Sequence, residues 1–139
     1  MFEAWHLRSE KVTEQDEALR LALRNLSDEQ RSLFYKQYTP QLKDPDTYAT
    51  LNWFFVSGLH NFYLKEWLAG IVDLMLMLIG CILLFIIPLL GVALLILVSL
   101  LELPALFRSQ IIVADYNNKL GWRLLKHYNP VNTQIKARD

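Results

Sequence analysis

From Trp67 to Phe107 the chain runs for 41 residues with only Asp73 and Glu102 as ionisable side chains. An α-helix rises about 1.5 Å per residue and the hydrocarbon core of a bilayer is about 30 Å thick, so one crossing takes roughly 20 residues. The run therefore holds enough chain for two crossings, 67–87 and 89–107. Its one breaker cluster, Pro88-Leu89-Leu90-Gly91, lies at the midpoint. There proline fixes φ and removes a donor, and glycine tolerates close backbone approach. These features predict a tight transmembrane helical hairpin without a charged loop.

Charge then orients the hairpin. Lys65 flanks one end and Arg108 the other, and residues 108–139 hold six Lys/Arg against two acids. Positive charge accumulates on the cytoplasmic side of membranes. Both termini are therefore expected in the cytoplasm, with the chain integral to the bacterial inner (cytoplasmic) membrane. No secretory signal is readable from Met1 to Gln30, which is acidic and amphipathic without a continuous apolar region.

The segment Tyr48–Leu64 is apolar and aromatic, with Trp53, Phe54, Phe55, Phe62 and Tyr63, and Trp67 close behind. It is short for a crossing, and Trp and Tyr prefer the headgroup layer. With both hairpin ends on the cytoplasmic face, this segment is expected to enter and leave on the same side, as a re-entrant or interfacial element. The alternative, a third crossing through 48–64, would export seven N-terminal Lys/Arg. Lys43-Asp44-Pro45-Asp46 reads as a polar linker, because proline disfavours helix in the residue before it. The domain reading is thus 1–46 as an amphipathic cytoplasmic helical region, 47–107 as the membrane domain, and 108–139 as a cytoplasmic helical extension and tail.

Within the first region, Leu19, Ala22, Leu23 and Leu26 recur at helical spacing behind Glu14, Asp16 and Glu17, predicting a helix over about Val12–Asn25. Ser27 with Gln30 fits a capping box for a second helix, whose stripe of Leu33, Phe34 and Tyr38 stops before Pro40. These helices are expected to pack on each other, on a second copy or on the membrane face. After Phe107, Ile111, Ile112, Tyr116, Leu120, Leu124 and Tyr128 continue the helical pattern. The last membrane helix is expected to run on into this stretch, weakened at Gly121 and ended by Asn129-Pro130, with a frayed tail from Val131 to Asp139.

Several function classes find no support in the residues. The net charge is zero, which leaves no basic stripe to release counterions from nucleic acid. Cys81 is the single cysteine, so no intrachain disulfide forms, and it reads as a small packing residue. No phosphate loop, nucleophile elbow, Ser/His/Asp arrangement or metal-ligand spacing occurs. An enzyme is not expected, and neither is a cofactor or a metal.

Gly58-Leu59-His60-Asn61-Phe62-Tyr63-Leu64, followed by Gly70-Ile71 and later Leu101-Glu102-Leu103, resembles the TM2 domain family of small integral membrane proteins. The family pattern is roughly Gly-x-His-Arg-Phe-Tyr-Leu-Gly, a glycine-containing helix, and a closing Leu-Ile-Asp-Leu. Gly58, His60, Phe62, Tyr63 and Leu64 match it, while Asn61 stands for the usual arginine, Lys65 for the glycine and Glu102 for the aspartate. The likeness covers about half the chain. It implies an all-α membrane module and supplies no substrate. It also implies a connection between two crossings at His60–Lys65, which would carry 48–64 across the bilayer.

Asp73 and Glu102 stand at nearly equal distances from Pro88, so a fold there puts both carboxyls at one depth near the cytoplasmic boundary. A charge inside a membrane needs a partner, a proton or the interface, and Lys65, His60 or Arg108 are the expected partners. Ser99 shares a face with Glu102, and Gly70, Gly80 and Gly91 are small surfaces for close helix approach, within one subunit or between copies. The residues thus point to an all-α membrane protein acting as a non-enzymatic scaffold or accessory subunit. Its expected partners are the lipid bilayer, further copies of itself as a homo-oligomer, and another membrane protein, with no nucleic acid. The alternative is a small oligomeric channel or ion-coupled permeation module using Asp73, Glu102 and Ser99. A third reading has the aromatics of 48–64 bind lipid.

Overall fold

A computed structural model of the chain describes residues 6–53 and 58–128. Among them the regular structure is helical, with no strand. Seven α-helices follow in order: α1 Ser9–Arg24, α2 Asp28–Tyr38, α3 Pro45–Trp53, α4 Leu59–Tyr63, α5 Trp67–Ile86, α6 Pro88–Phe107 and α7 Ser109–Tyr128. A 3₁₀ turn, Thr39–Gln41, extends α2 through the Pro40 step. Phe54 and Phe55, the Asn129-Pro130 stop and the tail after Val131 lie outside the described residues. The chain divides into two compact units, one carried by Asp44–Val113 and the other by Arg8–Lys43 with residues from Ala114 onward.

In the first unit α5 and α6 are joined by Ile87 alone, with Pro88 as the first helical residue of α6. The helices pack antiparallel along a seam. Its buried positions are Gly70, Asp73 and Gly80 on α5 and Gly91, Val98, Glu102 and Ala105 on α6. The spacings are sums of threes and fours, the repeat that keeps one helix stripe facing a partner. A Cβ on Gly80 would meet Leu95 Cδ2 at 2.6 Å, and one on Gly91 would meet the Leu84 main-chain nitrogen at 2.5 Å. Only hydrogen at 91 lets the backbones lie this close to the turn. Both pairs are symmetric about the turn, and the same register seven residues further out brings Asp73 level with Glu102.

Away from the seam the hairpin is bare. Of the most apolar stretch of each helix, 17% of α5 and 22% of α6 is buried. Both helices are long and apolar enough to cross a membrane. By contrast α3 has nine residues and α4 five, each well under the roughly 20 that a crossing takes. Cys81, expected as a packing residue, is exposed on α5, because it falls off the seam spacing.

The last long apolar helix does not run on continuously. Pro104 sits inside the final turns of α6, where it has no N–H to give the ladder, and Arg108 steps out of helical geometry at φ −108°, ψ 15°. Ile111 and Ile112 then donate to the Arg108 carbonyl and start α7 afresh. That helix passes through Gly121 without a break. Gly121 is an approach point, since a Cβ there would lie 2.4 Å from Leu19 Cδ2.

In the second unit Leu19 and Leu23 of α1, Leu26 just beyond it, Phe34 of α2 and Leu125 of α7 form one core, with Ala22, Tyr38, Trp122, Leu124 and Tyr128 packed against it. The N-terminal helices therefore close on α7 as well as on each other. Phe34 is wholly enclosed, its ring in contact with Tyr35, Tyr38 and Tyr128. The capping box at α2 is formed in full: Gln30 N donates to Ser27 Oγ at 3.2 Å and Ser27 N to Gln30 Oε1 at 3.1 Å. Arg31 turns back to donate to the Leu23, Arg24 and Leu26 carbonyls, which satisfies acceptors left over at the end of α1. Asn117 brackets Lys43, accepting from its N–H at 2.9 Å and donating to its carbonyl at 3.0 Å, while Asn118 donates to the Val12 carbonyl.

Truncating Phe34 to Ala leaves a cavity at the centre of this core and is expected to cost about 3–5 kcal/mol. Thermal melting followed by circular dichroism in mild detergent should show an early transition for the α1–α2–α7 helices, and an unchanged melting profile would contradict this packing.

Candidate functional site

At the open end of the hairpin, α3 and α4 pack against α6 and α5 and bring a polar cluster into the interior of the first unit. It comprises Tyr48 and Asn52 of α3, His60 and Asn61 of α4, Asp73 of α5 and Glu102 of α6, each 6% exposed or less. Six polar side chains so enclosed must be satisfied largely by one another and by the backbone. Asn61 Nδ2 donates to Asp73 Oδ2 at 2.5 Å, and Asn52 Nδ2 donates to the Glu102 main-chain oxygen at 3.3 Å. Tyr48 and His60 meet edge to face, ring centres 5.3 Å apart. Burial, and then the nearness of Glu66, Glu102 and Asp73, push the Tyr48 phenol up from its ordinary value, so it stays a neutral donor.

Local geometry explains how so short a helix as α4 delivers two of these residues. Gly58 opens it at φ +88°, a conformation that side chains resist. A Cβ on Gly58 would lie 2.4 Å from the Gly70 carbonyl oxygen, and a Cβ on Gly70 would lie 2.8 Å from the Phe62 ring. Gly58 and Phe62 thus close on Gly70 from two sides and fix α4 on α5, three residues before Asp73. At its other end, Lys65 N donates to the Phe62 carbonyl and Glu66 N to the Asn61 carbonyl, both at 2.9 Å. This pair of bonds is a Schellman ending, which requires a left-handed residue at Lys65, found at φ +62°. The next helix, α5, can then start at Trp67.

Asp44 fixes the entrance to α3. Its carboxylate accepts from Thr47 N and Thr47 Oγ1, both at 2.7 Å, and these bonds hold its carboxyl below the usual range. Pro45 follows as the first helical residue. Tyr63 Oη accepts from Asp44 N at 2.9 Å, so the start of α3 is tied to α4.

The residues of the Gly58–Leu64 stretch therefore meet at one place: Gly58 and Phe62 on Gly70, His60 on Tyr48, Tyr63 on Asp44, and Leu64 buried at 3% exposure as the cap of α4. Asp73 and Glu102 join them on the seam. Asp73 is met by Asn61 rather than by His60, because the α4 register turns the imidazole toward α3. Ser99 does not join; its hydroxyl donates to the Leu95 carbonyl of its own helix at 2.9 Å. Tyr48 and Asn52 were not singled out by the sequence. Their one signal was polarity in a stretch otherwise dominated by aromatic and aliphatic residues.

No three His, Cys, Asp or Glu side chains among the described residues stand close enough to hold a metal ion. The cluster offers hydrogen-bonding and proton-holding groups without an aligned nucleophile. No protein-family model matches the chain, and no curated protein or solved structure is significantly similar to it.

Two measurements check this geometry. A left-handed conformation costs a non-glycine residue about 1–2 kcal/mol, part of which glycine returns in backbone entropy. Lys65→Gly is expected to raise stability by about 0.5–1 kcal/mol in detergent melts, and Lys65→Val to lower it. Burial pushes the His60 imidazole down to about 4 from its ordinary 6.5. Between those values the unfolded chain binds a proton that the folded chain refuses, so stability present above pH 6.5 is lost as pH falls toward 4, by roughly 3 kcal/mol at most. His60→Gln should flatten that part of the pH–stability curve; an equal slope in both proteins would show that His60 is not enclosed.

Proposed function

We propose that this chain is a non-enzymatic integral membrane scaffold or accessory subunit, anchored by the α5–α6 hairpin and presenting the α1–α2–α7 unit to a further copy or to another membrane protein. One observation carries the reading. The outer faces of two 20-residue helices expose Leu68, Ile79, Ile82, Phe85, Ile86, Leu89, Ile96 and Leu100, each between 48% and 92% accessible. An apolar surface of this extent on a water-soluble chain would be an aggregation site, whereas in a bilayer it is the solvated surface. The polar side chains of the hairpin behave accordingly, with Asp73 and Glu102 turned to the seam and Ser99 bonded to its own helix.

The proposal places the open end of the hairpin, with Lys65 and Arg108, toward the cytoplasm by the positive-inside rule, and the membrane is the inner membrane of a bacterium. Exposed Trp53, Trp67 and Phe107 suit the headgroup layer at that end. Membership of the TM2 domain family stays part of this proposal. It is supported by the contact of Gly58 and Phe62 with Gly70, and by the left-handed Lys65 where the family pattern has glycine.

The conduction alternative has less behind it. A permeation path needs polar side chains facing an axis between copies, and Asp73, at 1% exposure, faces the interior of its own subunit. Gly70, Gly80 and Gly91 likewise have occupants within the chain, so association between copies would use the outer faces of the hairpin or the second unit.

Expressed in bacteria, the chain is expected to stay with the membrane pellet through alkaline carbonate and urea washes and to be released by detergent. Recovery as a monodisperse protein in detergent-free buffer would refute the proposal.

A further inference from the structure

The polar cluster divides the hairpin into two parts. Up to Asp73 and from Glu102 onward, α5 and α6 are collared by α3 and α4 through Gly70, Asn61 and Asn52. Beyond that level both helices are bare. The bare part comprises Leu74–Ile86 and Pro88–Leu101, and its length is about 20 Å at the helical rise, against about 30 Å for the hydrocarbon core.

The tip has no feature that would hold it in water. From Leu74 to Val98 the chain has no polar side chain other than Cys81. The residues flanking the turn are among the most exposed of the hairpin, with Phe85 at 92%, Leu89 at 83% and Ile86 at 68%. A turn emerging on the far side would carry these side chains into water, the reverse of the transfer that seats the hairpin. It also lacks the Trp, Tyr, Lys or Arg that anchor an end at a headgroup layer.

The turn is short, and part of its backbone is closed by its own hydrogen bonds. Its single non-helical residue is Ile87, whose N–H donates to the Leu83 carbonyl at 2.7 Å and whose carbonyl accepts from Leu90 N and Gly91 N, both at 3.0 Å. Pro88 brings no N–H that would need an acceptor.

Resting on the membrane reading above, we infer that the hairpin enters the bilayer from one face only and ends among the acyl chains of the far leaflet, without opening onto the compartment beyond. The collar lies in the near headgroup layer with Trp53, Trp67 and Phe107, and the partner of the tip is the fatty-acyl interior. Insertion is therefore asymmetric: the near leaflet accommodates the collar and both helices, and the far leaflet only the tip.

The test uses the full chain with Cys81→Ser and one new cysteine, either Leu89→Cys at the tip or Asp46→Cys on exposed α3. Leu89 touches little, so its replacement leaves the packing intact. Both proteins are reconstituted in oleoyl phosphatidylcholine–phosphatidylglycerol vesicles loaded with and bathed in a membrane-impermeant maleimide, so the reagent stands on both sides. The tip cysteine is expected to react about tenfold or more slowly than the α3 cysteine, to react readily once detergent is added, and to gain reactivity in thinner lauroyl bilayers. Equal reactivity of the two cysteines in oleoyl vesicles would overturn the inference, as would efficient oxidative cross-linking of Leu89→Cys between copies, since a second copy would then cover the tip. Loss of the protein from carbonate-washed vesicles would instead refute the membrane reading itself.

Discussion

Two helices joined by one residue must lie side by side over their whole length, and that requirement organises the first unit. Close to the turn there is room only for glycine at position 91, and at mid-height Gly80 receives Leu95. The register set there is carried outward by the three-and-four spacing until it places Asp73 and Glu102 on the same stripe. Their carboxyls cannot turn to a surface made of leucine and isoleucine, so they remain on the seam and need polar company. For Asp73 the short helix α4 supplies it through Asn61, while Asn52 of α3 bonds the Glu102 main-chain carbonyl beside it. What begins as a steric condition at the turn thus ends as an electrostatic one at the open end.

The second unit follows a different logic, that of amphipathic helices closing on one apolar core. Its apolar stripes are narrow, α2 is capped by the Ser27 and Gln30 side chains, and its polar surface carries ion pairs such as Asp16–Arg20 at 2.9 Å. Exposed i,i+4 pairs of this kind contribute only a few tenths of a kcal/mol, so the hold on α1 and α2 comes from Phe34 and its leucine neighbours. The asparagines of α7 add specificity: Asn117 and Asn118 fasten the chain at Lys43 and Val12, the last residue and nearly the first of the segment they bind.

Much of this was legible in the residues because the governing signals are local. Uninterrupted apolar length announced α5 and α6, the proline–glycine cluster announced their reversal, and Ser27 with Gln30 announced the start of α2. The shared core of α1, α2 and α7 was not legible, because helical periodicity states which face is apolar and not which helix will cover it. The same limit applies to Asn61 and Asn52. Their polarity was plain, but their contact with Asp73 and Glu102 depends on the glycine contact that docks α4 and on the cap that starts α3. The break at Arg108 was not legible, since the apolar pattern continues across it and Pro104 near a helix end is compatible with continuation as well as with an ending. Gly121 was misread for a related reason: a small residue in a helix is a weakness in isolation and an approach point once another helix lies on it.

The shared core also constrains how the protein can be made. Leu19, Leu23, Leu26 and Phe34 leave the ribosome roughly ninety to a hundred residues before Leu125, at a synthesis speed of about 5–20 residues per second, and the whole apolar hairpin is delivered in between. For those seconds α1 and α2 are amphipathic segments with an uncovered face. They acquire their final partner only when α7 follows the hairpin out, so the core of α1 and α2 is closed after the whole apolar hairpin has been made.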